Sequence, residues 1–154
     1  MCHFITFTHA YFEFLQGLRI SVFQNNINYA GNGEPCGIAI EYCRKIGEDN
    51  IWEQVKLLSD YLRKQLSSVA KVSVLDRGPE LGGLITFTVK DSQPTFIVDE
   101  LLKRKINIVP SYRNFAVIDF DEKQVEWALR ASPHYYNTIE EIDNFVESVK
   151  EIIS

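Results

Sequence analysis

The sequence predicts an α+β domain in which a mainly antiparallel sheet is covered by helices on one face. Three observations carry that prediction. Amphipathic stripes mark two helices between residues 35 and 66. Short segments further on alternate apolar and polar residues with a period of two. The resulting order (helix, helix, strand, strand, helix, strand, strand, strand, helix) suits a layered sandwich.

The first helix opens at Pro35, repeats Ile38, Tyr42 and Ile46 at every fourth position with Ala39 and Cys43 beside them, and stops at Gly47, where a C-terminal cap belongs. The second runs from about Ile51 to Leu66. Ile51, Val55, Leu58, Leu62 and Leu66 draw one apolar stripe, and Glu53, Lys56, Asp60 and Lys64 fall on the solvated face. Val72 and Val74, then Ile85, Phe87 and Val89, alternate as strands, separated by the turn chemistry of Asp76-Arg77-Gly78-Pro79. Gly82-Gly83 marks a tight strand entry. A third helix has Pro94 in its first turn and Ile97, Val98, Leu101 and Leu102 as its buried stripe. Ile106 to Val109 reads as a strand that stops at Pro110. Ser111 to Asn114 reads as a polar loop and Ala116 to Phe120 as a short strand. Trp127 to Ser132 is a further strand, with Trp127, Leu129 and Ala131 on one side and Ala128, Arg130 and Ser132 on the other. In the closing helix Thr138 and Glu141 form a capping box, and Ile142, Phe145, Val146 and Val149 face inward.

Residues 1–30 are the least legible part and are set apart from a domain spanning 31–154. Phe4, Phe7, Tyr11, Phe12, Phe14, Phe23 and Tyr29 crowd that segment without clean periodicity. Either they pack on the domain or they pack on a surface that belongs to something else.

Length and composition bound the function. A chain of 154 residues, 45% hydrophobic and 24% charged, is that of an ordinary single-domain soluble protein. A net charge of −5 argues against nucleic acid or an anionic membrane as partner. The one basic cluster, Lys103-Arg104-Lys105, falls where a helix ends and complements its dipole. No apolar run is long enough for a bilayer, and the start lacks a charged leader. Cys2, Cys36 and Cys43 are odd in number with no CxxC pair, so a reducing, cytoplasmic setting is the default. His3, His9 and His134 are scattered, and no metal site is expected. GxSxG, phosphate-loop and GxGxxG patterns are absent.

The informative stretch is Leu129-Arg130-Ala131-Ser132-Pro133-His134-Tyr135-Tyr136-Asn137-Thr138. An arginine inside an otherwise apolar strand is costly unless its guanidinium has a partner. A salt bridge to one of the 21 acidic residues would serve. So would a bidentate clamp on a ligand carboxylate, a geometry that arginine supplies and lysine does not.

The run Arg130 to Thr138, with Glu140-Glu141-Ile142-Asp143 and Phe145 after it, resembles the ending of class V aminotransferase-fold enzymes that use pyridoxal 5'-phosphate (PLP). That group includes cysteine desulfurases and isopenicillin N epimerase-like proteins. Gly83 to Val89, Arg104 to Ile108 and Gly37 to Tyr42 with Ile46-Gly47 extend the resemblance, which covers the chain from about Asn26. It implies the C-terminal small domain of a fold-type I PLP enzyme, with a homodimer as the family habit and an amino acid as substrate. It implies that Arg130 binds the substrate α-carboxylate, that Arg113 is a possible second contact, and that His134, Tyr136 and Asn137 sit near the site. Asn137 and Thr138 are assigned mainly to capping. It also exposes what is missing: no histidine–lysine pair is present to form the PLP Schiff base, so no catalytic residue is expected in this chain. The chain therefore reads as truncated, dependent on a large PLP domain in cis or in trans. The alternative is a non-catalytic interaction module that kept the fold. Desulfurases of this group carry a nucleophilic cysteine on the loop that matches Ser111-Tyr112-Arg113-Asn114, and none stands there. The epimerase-like or aminotransferase-like branch is therefore expected.

Overall fold

The computed structural model describes Ile5–Thr6 and residues 33–154. The expected boundary at residues 30 and 31, His3, His9 and the aromatic segment lie outside the described residues. The chain divides into two compact units, one of Met1–Thr8 with Val55–Ser154 and the other of His9–Gln54.

In the second unit α1 (Gly33–Ile46) ends as expected. Gly47 takes φ +94° and its N–H donates to Cys43 O at 2.9 Å, the left-handed C-terminal cap that favours glycine. Asn50 Nδ2 closes the same turn on Ile46 O at 2.8 Å. A Cβ on Gly47 would stand 2.9 Å from that nitrogen, the movable end of a side chain, so it is the positive φ that selects glycine. The next helix, α2 (Glu48–Ser67), begins directly after it, with Glu48 and Asp49 in its first turn.

The larger unit is built on a four-stranded, wholly antiparallel sheet of order β2-β3-β6-β5, made from β2 (Val72–Val74), β3 (Ile85–Val89), β5 (Val109–Tyr112) and β6 (Trp127–Ala131). A separate two-residue pairing sets β1 (Ile5–Thr6) parallel to β4 (Ile106–Asn107). One face of the sheet carries Ile85, Phe87, Val89, Leu129 and Ala131 into the core. Leu58, Leu62 and Leu66 of α2, Ile97 and Leu101 of α3 (Pro94–Lys103), and Ile142, Phe145, Val146 and Val149 of α5 (Ile139–Ile153) fill it from the helix side. Phe87 meets Phe145 edge to face at 6.2 Å, the favoured aromatic geometry. The predicted stripe of α5 is therefore buried, and that of α2 is buried from Val55 to Leu66, with Ile51 only half-buried. Helices pack on one face of an antiparallel sheet, as the periodicities predicted.

Four local expectations fail. Leu102 is 58% exposed, because α3 ends one residue later and only Ile97 and Leu101 lie on its fully buried stripe. Pro110 does not end a strand but sits within β5, opposite Leu129. The ladder explains why. Leu75 N donates to Thr86 O and Arg113 N donates to Glu126 O, which fixes the alternation of bonded and non-bonded pairs across the sheet. Val109 and Ser111 then exchange bonds with β6, while Pro110 occupies a non-hydrogen-bonded position on the edge strand, where its missing N–H costs nothing. Ser111 and Tyr112 accordingly belong to β5, and only Arg113–Phe115 form a turn, of 3-10 type. Ala116 to Phe120 is not a strand, since Val117–Lys123 form the short helix α4. An Asp119–Lys123 pair at i, i+4 and a left-handed Gln124 at its end support that helix. The apolar alternation there was only five residues long, and Ile118, its middle member, is 78% exposed.

Candidate functional site

Arg130 stands in the middle of β6, paired in register with Thr86 of β3 and Val109 of β5. Cross-strand partners share a face, and neighbours along a strand alternate. Arg130 and Ala128 therefore lie on the face away from the helices, beside Thr86 and Thr88 and in line with Ser111, which pairs with Ala128. The sheet is two-sided: hydrocarbon toward the helices, and on the other face hydroxyls and one half-buried guanidinium alongside Val109 and Ala128. Thr86 directs both its backbone groups toward β2, so its pairing with Arg130 is the non-hydrogen-bonded kind that brings side chains closest.

The chain leaves β6 into Ser132–Asn137, a segment tied down from behind. Asn137 Oδ1 accepts from His134 N at 2.7 Å, Asn137 N donates to His134 O at 2.9 Å, and Asn137 Nδ2 donates to Glu141 Oε2 at 3.0 Å. Thr138 and Glu141 complete the expected capping box of α5. Asn137 is buried and its amide is held within this turn, an architectural placement. His134 stacks on Tyr136 at 3.9 Å and tilts against Tyr135 at 4.3 Å. Burial pushes its pKa down to about 4, so the ring is neutral near neutrality.

Arg113 is elsewhere engaged. Its guanidinium forms a two-pronged pair with Asp121, Nη2 to Oδ2 at 2.8 Å. The hydrogen bonds from Arg113 hold the Asp121 carboxyl below the usual carboxylate range. The fork that a second substrate contact would need is thus filled from within the chain.

The charged centre that sequence reasoning missed is Arg63. It is 8% exposed, on a face of α2 next to the leucine stripe. Its Nε donates to Asp76 Oδ2 at 2.8 Å, Nη1 to Asp60 at 3.2 Å, and Nη2 to the carbonyls of Gly82 and, at 3.1 Å, Leu84. Asp76 Oδ1 in turn accepts from Thr86 N at 2.8 Å and Thr86 Oγ1 at 2.6 Å. Asp76 is therefore more than a turn former: it replaces the next backbone acceptor where the β2–β3 ladder ends. The only hint in the sequence was spacing, since Val55, Ser59 and Arg63 recur every fourth residue. That row faces the strand entry, where a Cβ on Gly83 would come within 2.5 Å of Val55 Cγ1. Gly83 thus marks the tight entry expected of it.

The chain's nine lysines all lie within the described residues, and eight are exposed. The ninth, Lys123, is paired with Asp119 at 2.8 Å. A lysine that forms an imine is held in a desolvated setting, and none of the nine is buried in this structure. Among the described residues no three His, Cys, Asp or Glu side chains group as metal ligands, and no helix is long and apolar enough to cross a membrane.

The family model for Aminotransferase class-V matches residues 35–145. A probable cysteine desulfurase of Borreliella burgdorferi is 31% identical over 120 residues, covering 75% of this chain and 28% of that protein. The apo cysteine desulfurase of Thermococcus onnurineus superposes with a TM-score of 0.65 at 24% identity, over 74% of this chain and 28% of the other. The cystine C-S lyase C-DES, in a form with glycine covalently linked to its PLP cofactor, superposes at 0.59 with 21% identity, over 73% and 27%. The chain thus spans somewhat more than a quarter of the length of the relatives it matches. PLP is the cofactor of this group, but the lysines present here do not fit the covalent attachment. The matched span, the two-sided antiparallel sheet and the capped segment after Arg130 together place this chain in the class V aminotransferase family.

Proposed function

We propose that this chain forms the substrate-carboxylate side of a PLP-dependent class V enzyme acting on an amino acid, with Arg130 as the carboxylate clamp. The observation that carries the proposal is the position of Arg130, half-buried at the centre of the hydroxyl-bearing sheet face and two residues before the braced segment Ser132–Asn137. A guanidinium held on a strand, not a loop, presents its fork in a fixed plane, and that would orient a carboxylate bidentately. His134, neutral and stacked, and Tyr136 border the segment next to it. Asn137 braces them.

The PLP-bearing lysine and phosphate cup would come from a large domain, in cis or in trans, joined to a small domain of residues 31–154. Dimerisation and a cytoplasmic setting follow the family in this reading. The curated relatives are named cysteine desulfurases, but this chain has no cysteine after Cys43. We therefore favour epimerase-like or aminotransferase-like chemistry for the assembled enzyme. The placement of the lysines also suits a non-catalytic module derived from the same domain.

Two measurements test the proposal. The purified chain mixed with PLP is expected to give no absorbance band that borohydride fixes, and a reducible Schiff base would overturn the division of labour. Residues 33–154, grafted in place of the matching region of the Borreliella burgdorferi relative, are expected to give a PLP-binding protein with affinity for amino acids. Arg130→Lys in that graft should weaken the affinity roughly 10- to 100-fold with PLP retained, the range expected for losing charge-assisted bonds. Unchanged affinity removes Arg130 from the role, and a graft that binds PLP but no amino acid favours the non-catalytic module.

A further inference from the structure

We infer that Asp76 is a positioning residue for the Arg130 site, acting through Thr86. This rests on the reading of Arg130 as a carboxylate clamp and extends it to a residue outside the clamp. Thr86 is the cross-strand partner of Arg130, on the same face and in the close, non-hydrogen-bonded type of pair. Its backbone N–H and its hydroxyl both donate to one oxygen of Asp76, at 2.8 and 2.6 Å. Those two bonds fix the Thr86 rotamer, so the side chain beside the stem of Arg130 has one orientation. The hydroxyl proton faces Asp76, and what Thr86 offers its other neighbours is acceptor lone pairs, which suit a donor-only guanidinium.

Asp76 is itself held. Its other oxygen takes Arg63 Nε at 2.8 Å, and Arg63 also gathers the carbonyls of Gly82 and Leu84 at the entry to β3. The Asp76 side chain is 9% exposed, so the bond works in a setting where water competes little. A rigid helix therefore reaches the substrate face of the sheet through Arg63, Asp76 and Thr86 in sequence.

The test uses the whole chain, labelled with nitrogen-15, with glycine as the carboxylate probe. In the absence of glycine, Thr86→Val and Asp76→Asn are expected to move the Arg130 Nε resonance, and Thr86→Ser, which keeps the hydroxyl, to leave it near the wild-type position. Glycine should shift the same resonance, with an affinity about fivefold weaker in Thr86→Val, the loss expected for one hydrogen bond, and restored in Thr86→Ser. Urea unfolding of each variant shows whether it is folded at the titration temperature. An Arg130 resonance and glycine affinity indifferent to Thr86→Val and Asp76→Asn would overturn the inference while leaving the clamp intact. Glycine affinity unchanged in Arg130→Lys overturns the clamp reading and this inference with it; should the chain without its large domain bind no glycine, the Arg130 shifts of the glycine-free variants decide.

Discussion

Replacing Arg63 by methionine keeps the length of the side chain and removes its charge. Four acceptors lose their donor: Asp76 Oδ2, Asp60 Oδ1 and the carbonyls of Gly82 and Leu84. They are unequal. Asp60 is 55% exposed and its pair contributes little, about 0–1 kcal/mol at most. Asp76 has a side chain only 9% exposed, and breaking one partner of such a pair costs about 3–5 kcal/mol. Two donors from Thr86 remain on its other oxygen, so the low end applies, and we expect a loss of about 3 kcal/mol. With an urea slope of about 1–3 kcal/mol/M, the midpoint should fall by roughly 1–3 M. The assay is equilibrium urea unfolding followed by far-UV circular dichroism.

A double-mutant cycle sharpens that expectation. Asp76→Asn alone sets its amide nitrogen against a donor, either Arg63 Nε or the Thr86 N–H, and Arg63→Met lets the amide oxygen face Thr86 without conflict. The double variant should therefore lose less than the sum of the single losses by about 1–2 kcal/mol. A loss below about 1 kcal/mol for Arg63→Met, or strict additivity, would refute the view that this pair holds the β2–β3 connection onto α2.

Two further effects follow from buried groups. Ser59 is fully buried and its hydroxyl has no hydrogen-bond partner among the described residues, so Ser59→Ala should stabilise the chain by about 1 kcal/mol in thermal melts, and a fall in the melting temperature would show a bond the geometry does not. His134 has a folded pKa near 4 against 6.5 ordinarily, so between those values the unfolded chain binds more protons and stability must fall as the pH drops from about 6.5 toward 4. Discounted for the ring's partial exposure, that loss is about 1–2 kcal/mol, and His134→Phe should flatten the wild-type pH slope by that amount, whereas parallel slopes would mean the ring is not desolvated.

Periodic features of this chain were legible because the period itself is the physical cause. The leucine stripe of α2, the alternation of β3 and β6 and the capping box of α5 each rest on contacts between residues near in sequence or on one repeated face. Ala116 to Phe120 failed for the converse reason: five residues cannot distinguish a period of two from one of 3.6, and a side-chain pair with a left-handed cap decided for helix. Pro110 misled because a proline's tolerance depends on which side of a strand faces its partner. That side is set by the whole ladder, not by the local sequence.

The same division runs through the candidate site. The sequence by itself determined that an arginine lies inside an apolar strand, that a capped turn follows it, and that no histidine–lysine pair accompanies them. Only the tertiary structure decided that Arg130 opposes Thr86, that the fork of Arg113 is filled by Asp121, and that Arg63, 23 positions from Thr86, braces it through Asp76. Each of those facts depends on segments distant in the chain meeting at hydrogen-bond distance. Residue type fixes what a side chain can donate or accept, but its partner is chosen by the way helix and sheet pack.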